Sequence, residues 1–243
     1  MRLGVMQPYV FPYIGYYELM AKVDRWVAFD TVQYNRRSWM NRNRILHPTD
    51  GWQYFCIPVQ RMPHGTALSA IRLAARNDAE HKLLGQLQHY RRHAPHFHNV
   101  TDLVRDVFSR PDTDTLVGLN LASLAAVAER VGISFAPERW SQFDFAFDEV
   151  EHAGQWALRI AAHLGADAYL NPPGGQHIFH LDEWTAAGIK LDFTAMNDLR
   201  YDCGPYVFEP NLSILDVLMW CSADDIGAYL HNLRSEASRH DRY

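Results

Sequence analysis

Residues 1–30, MRLGVMQPYVFPYIGYYELMAKVDRWVAFD, decide the fold class. Leu3 to Met6 is a short apolar run that stops at Gln7-Pro8. Pro12 then opens a helical pattern, and proline suits a first helical position because its missing N–H has no intrahelical partner there. Ile14, Leu19, Met20 and Val23 recur near one face of that helix. Arg25 to Phe29 is a second buried-strand pattern, closed by Asp30. Strand, helix, strand in this order begins a parallel α/β unit. The fold expected is α/β, a parallel sheet with Rossmann-like layout. In such sheets ligands bind outside the carboxyl ends of the strands. Gln7, Tyr9, Tyr13, Asp30, Gln33 and Tyr34 all fall at or just beyond such ends.

Polar chemistry is dense in the residues that follow. Arg36, Arg37, Trp39, Asn41, Arg42, Asn43 and Arg44 come within a few positions. Arginine forks match carboxylates and phosphates bidentately. Asparagine both donates and accepts, and Tyr and Trp offer flat faces with a polar tip. The stretch reads as a loop lining a pocket for an anionic or nucleotide-linked small molecule. Against this stands the ordinary alternative for a charge run, a solvated basic loop.

Downstream, Trp52–Val59 reads as a strand and Ala70–Leu73 as a short one. Asn77-Asp78 offers a helix cap. Helices are expected up to Pro95, over Val100–Phe108, and over Leu116–Val131 with caps at Asp112, Thr113 and Asp114. One domain over 1–243 is expected, with 77–132 as a helical lobe over the sheet. A strand at Ile133–Phe135 is expected next, then a helix over Val150–Leu164. Ala168–Leu170 is a strand leading into Asn171-Pro172-Pro173-Gly174-Gly175. Adjacent glycines after a strand let a ligand approach exposed amides, although the P-loop pattern is absent. His177 follows closely and is placed to serve as a general base. Leu181–Ala187 and Ile189–Phe193 read as helix and strand. Ser213 is the N-cap of a buried helix, SILDVLMW, with Asp216 as a capping carboxylate. His93, His96 and His98 invite a metal reading, but Pro95 interrupts their periodicity and no carboxylate or cysteine completes the set. No metal ligand is assigned, and no cofactor is specified.

The quoted stretches also carry a resemblance. QPYVFPYIGYYELM at 7–20 and VAFDTVQYNRRSWMNRNRIL at 27–46 resemble the WbqC-like protein family. So do HYRRHAPHF at 89–97, NPPGGQHIF at 171–179, GIKLDF at 188–193 and FEPNLSILDVLMW at 208–220. That resemblance implies a place in surface-polysaccharide or natural-product biosynthesis. It implies attachment of glycine or another acyl group to an amino sugar or similar amine.

Composition bounds the alternatives. The 243 residues include 48% hydrophobic and 21% charged side chains, proportions of a soluble globular chain. A formal charge of −5 argues against bulk binding of nucleic acid or an anionic membrane. Three cysteines make no disulfide framework, and the opening residues lack signal-peptide character, so a cytoplasmic location is expected.

The leading reading is therefore an amide-forming acyl or aminoacyl transferase, acting on a nucleotide-linked or carrier-linked small molecule. A carrier protein is a further partner. Asp30 or His177 would be the base, and Asn41, with Gln7 and Asn43, would position substrate and oxyanion. Arg37, Arg42 and Arg44 would clamp anions. Tyr9, Tyr13, Tyr16, Gln33, Tyr34, Trp39, Asn171, Gly174 and Gly175 would complete the binding surface. Two alternatives stand beside it. One is an ATP-binding ligase or nucleotidylyltransferase-like enzyme, in which Tyr13 and Tyr16 replace the histidines of the H-x-G-H turn. The other is a non-catalytic binding protein in a biosynthetic complex.

Overall fold

The apolar run Arg2–Met6 becomes β1, the central strand of the sheet. Its alternate residues serve two helical layers. Leu3 and Val5 point to one face, while a Cβ at Gly4 would touch Leu19 and Val23 on the other. The computed structural model describes residues 1–145, 150–195 and 199–240, the last five without their side chains.

Helix α1 (Gly15–Lys22) returns the chain to β2 (Arg25–Ala28), parallel to β1. The helix starts three residues after Pro12, a correction to the sequence reading. Residues 8–13 instead form a loop held by buried polar groups, described below. The chain later supplies β5 (Glu138–Arg139), β6 (Ala168–Asn171) and β7 (Lys190–Phe193), all parallel to their neighbours. The sheet order is β5-β2-β1-β6-β7. Counted along this sheet, the strands run third, second, first, fourth, fifth, which is the Rossmann-like order. The chain builds outward from β1 to β5, then returns to the other side of β1 to lay down β6. The order therefore reverses between β1 and β6, where the crevice of an open α/β sheet lies.

Helices α5 (Gly154–His163), which starts four residues later than expected, and α6 (Leu181–Ala186), which follows the expectation closely, cover one face. Ile160, Ala161 and Trp184 pack there on Leu3, Val27 and Tyr169. On the other face α1 shares a larger core with the helices that follow β2 in the chain. These are α2 (Arg76–Gln86), α3 (Phe97–Ser109) and α4 (Leu116–Arg130), then α7 (Ile214–Trp220) and α8 (Ala223–His240). Among the described residues no helix is long and apolar enough to cross a membrane.

Several local expectations are corrected. Residues 42–46 are not loop but β3 (Arg42–Leu46), paired antiparallel with β4 (Trp52–Cys56) in a separate hairpin. The reason is a period of two. Asn43 and Ile45 point inward and are buried, while Arg42 and Arg44 point outward. Their guanidinium groups lie over outward aromatic rings: Arg42 is 4.5 Å from the Tyr54 centroid and Arg44 is 4.9 Å from Trp52. The 52–59 strand stops at Cys56. Residues 68–70 form a 3₁₀ turn, and only single bridges follow at Arg72 and Leu73. Residues 133–135 form no strand; the edge strand is β5. The α2 cap is Ala75 rather than Asn77-Asp78, and the α4 cap is Thr115, whose hydroxyl accepts from the Gly118 N–H. Ser213 does cap α7. Asp216 does not act as a cap but is wholly buried, accepting from the Tyr90 and Tyr201 hydroxyls.

Candidate functional site

Four buried side chains from three separate segments grip the loop after β1. Asn120 on α4 donates to Pro8 O at 2.7 Å and Met40 O at 2.8 Å. Asn43 on β3 donates to Phe11 O at 3.0 Å, and Ser213 does so at 2.6 Å. The Phe11 N–H reaches Ser123 Oγ at 3.0 Å. Phe11 itself sits at φ 40°, a left-handed conformation costly for a side chain with a Cβ. Such strain persists only where surrounding bonds over-determine it, and it concentrates at functional sites.

What this loop holds in place is a row of three cavities. The largest, about 610 Å³, opens over the carboxyl ends of β1, β2 and β6, at the point where strand order reverses. Gln7, Tyr9, Tyr16, Gln33, Asn171 and Gly175 line it, with Phe29, Trp156 and Phe179 as apolar walls. A second cavity of about 600 Å³ shares Gln33 and is lined by Tyr34, Arg36, Arg37 and His64. A third, about 260 Å³, shares Tyr9 and is lined by Tyr13, Glu18, Trp39, Asn43, Arg44 and Gly174. Gln33 and Tyr9 are thus the partitions between a cationic end, a neutral middle and an end that holds a carboxylate.

The sequence candidates divide accordingly. Gln7, Tyr9, Tyr13, Tyr16, Gln33, Tyr34, Arg37, Trp39, Asn43, Arg44, Asn171, Gly174 and Gly175 line one cavity or two. Asp30, Asn41, Arg42 and His177 line none of the three. Both Asp30 oxygens are taken by Ser141, from its N–H at 2.8 Å and its hydroxyl at 2.6 Å. Asn41 donates to Ile57 O at 2.9 Å, tying the hairpin closed. Arg42 donates to Arg37 O at 2.6 Å, so it shapes the cationic cavity from behind. His177 is exposed on the 3₁₀ turn Pro173–Ile178. Of the three histidines singled out earlier, His93 faces the Tyr206 ring, His98 faces Phe97, and His96 lines a further cavity with Arg130 and Asp224.

One functional candidate was not read from the sequence. Glu18 is only 4% exposed, accepts from the Tyr229 hydroxyl at 2.6 Å, and lines the third cavity. Among the described residues it is the one carboxylate lining any of the three cavities. Its signal was available: a lone acid one helical turn after Ile14, on the apolar face of α1.

The titration of the surrounding groups narrows the chemistry. Burial pushes the Tyr9, Tyr13 and Tyr16 phenols upward, so they remain protonated donors. Tyr16 donates to Gln7 O at 2.9 Å and Tyr9 to Gln7 Oε1 at 3.2 Å, which orients the Gln7 side chain with its NH₂ unengaged by them. Burial also raises the Cys56 and Cys221 thiols and pushes Cys203 up to about 12. None has the lowered pKa of a reactive thiolate.

The WbqC-like protein family model matches residues 7–228. The chain belongs to the WbqC-like protein family. An uncharacterized protein of Mycobacterium tuberculosis (strain ATCC 25618 / H37Rv), Rv1507c, is 27% identical over 228 residues. That alignment covers 92% of this chain and 95% of the relative. No solved structure matches. The match takes in every residue of this WbqC-like protein named above as a cavity lining, from Gln7 to Phe179.

Proposed function

We propose that this WbqC-like protein is a small-molecule transferase that forms an amide from an acyl or aminoacyl donor and an amine such as an amino sugar. The observation that carries this reading is the row of cavities, cationic at Arg36 and Arg37, neutral in the middle, and lined at the far end by the Glu18 carboxylate together with Arg44. A phosphate-bearing donor, nucleotide-linked or carrier-linked, seats its anion against the arginines. Its acyl arm lies along Gln33 and Gln7. The amine enters beside Glu18, with Trp39 and Tyr13 as flat faces for a sugar ring.

The reaction follows from this arrangement. The amine lone pair attacks the donor carbonyl and a C–N bond forms. The Gln7 amide donates to the developing oxyanion. Glu18 accepts the proton lost by nitrogen. The bond to the carrier then breaks, and the carrier leaves with its electron pair. No protein-bound thioester is invoked, in keeping with the raised thiols.

A thermal-shift panel tests the reading first. Acyl donors and amino sugars raising Tm support it. Stabilisation by ATP with magnesium alone favours the ligase alternative, and no response to any small molecule favours a non-catalytic partner. With a substrate pair in hand, Glu18→Gln lowers kcat by about 10²- to 10⁴-fold, the usual worth of a general base. Arg37→Ala acts mainly on donor KM. Wild-type turnover in Glu18→Gln would sink the assignment of the base.

A further inference from the structure

A second cluster of ligand-type side chains lies outside the three cavities, where α5 and α6 begin. His152 precedes α5, His180 precedes α6, and Glu183 is in the first turn of α6. The segments are forced together by their backbones. A Cβ at Gly154 would stand 2.1 Å from Ile178 O, so only glycine permits this approach. His152 Nε2 is 3.0 Å from both Glu183 oxygens. The His152 and His180 rings stack at 4.0 Å between centroids, tilted by 27°. One ligand atom from each of the three residues falls within 4.8 Å of the others.

We propose that His152, His180 and Glu183 form a zinc-class divalent-cation site that clips the start of α5 to the start of α6. Two imidazoles and one carboxylate are a ligand set suited to zinc rather than magnesium, which prefers all-oxygen surroundings. Three protein ligands leave one position for water. Supporting contacts are present. Gln155 Nε2 donates to Glu183 Oε1 at 2.9 Å, fixing the carboxylate as outer partners of metal ligands do. His152 directs Nε2 at the Glu183 carboxylate, and that nitrogen is the atom that would hold a cation. A cation held between them would bind Nε2 of the neutral ring, with the ring proton on Nδ1.

The position gives the site a consequence. Ala153 and Ile178 adjoin the cluster in sequence and line the largest cavity. A cation here locks the cavity's outer wall without touching substrate.

Equilibrium dialysis of the full chain against zinc chloride, with metal quantified in the protein fraction, tests the proposal. Wild type retains one zinc that is lost or at least tenfold weaker in His180→Ala and in Glu183→Gln, but unchanged in His98→Ala. Cobalt(II) loaded in its place gives tetrahedral d–d absorption that both cluster variants lack. Affinity falls as pH drops through the imidazole range, because the ligands must shed protons. His180 is exposed, so His180→Ala keeps its fold, checked by circular dichroism. Wild type retaining no zinc, or both cluster variants retaining it with wild-type affinity, overturns the site. Neither outcome depends on the transferase reading.

Discussion

Asn120 shows how much one side chain can organise. Its amide nitrogen serves Pro8 and Met40 carbonyls that are far apart in sequence, and it is wholly buried. Removing it leaves two buried carbonyls without a donor, each worth about 1–3 kcal/mol. Asn120→Ala should therefore lose about 2–5 kcal/mol in a urea titration, and the loop bearing Tyr9 and Tyr13 should loosen with it. A loss under 0.5 kcal/mol would mean that water replaces the amide at no cost. On the sequence alone Asn120 is a lone polar residue on an apolar helix, and its partners are invisible. Glu18 was hidden for the same reason, since the cavity it lines is assembled from four other segments. Asp30 is the converse case. Its place at a strand end invited a catalytic role, while its Ser141 partner lies 111 residues away.

Elements behave as their periodicity directs where burial is one-sided. β1, β2 and β6 were legible because runs buried on both faces are near-continuous and apolar, and β7 because its apolar residues alternate with charged ones. β3 was not, because arginine at outward positions imitates a loop; in the sequence its partner β4 reads as a strand that runs past Cys56. β5 is two residues long and has no pattern to read. It is held to β2 by Arg25, whose two donors reach the Glu138 oxygens at 2.6 Å each. That bond lowers the Glu138 carboxyl below its ordinary 4.5. A depressed carboxyl stabilises the fold above its unfolded pKa and loses that stabilisation as pH falls through the folded value. Both partners are about a third exposed, so solvent screening holds the effect to about 1 kcal/mol or less. Glu138→Gln should lower Tm by about 2–4 °C at pH 7. That gap should close as pH falls below 4.5. A gap that is constant with pH would show that packing, not charge, holds the edge strand.

Across the whole molecule, the three cavities draw on segments from both ends of the chain. Segments 31–37, 62–66 and 172–179 meet there although well over 100 residues separate the first from the last. If they form one site, a ligand that raises Tm should slow amide hydrogen exchange in all three together. Protection confined to one segment would mean that the cavities are independent.

The sequence by itself determined the fold class, the family and the stretch where polar chemistry concentrates. Those properties are local: they follow from residue spacing along a strand or helix, and from motifs read in order. Only the tertiary structure decided which of those polar groups share a cavity and which brace it from behind. That choice depends on strand order and on buried hydrogen bonds between distant segments, such as Asn120 to Pro8 and Asp30 to Ser141. Spacing along the chain carries no record of either.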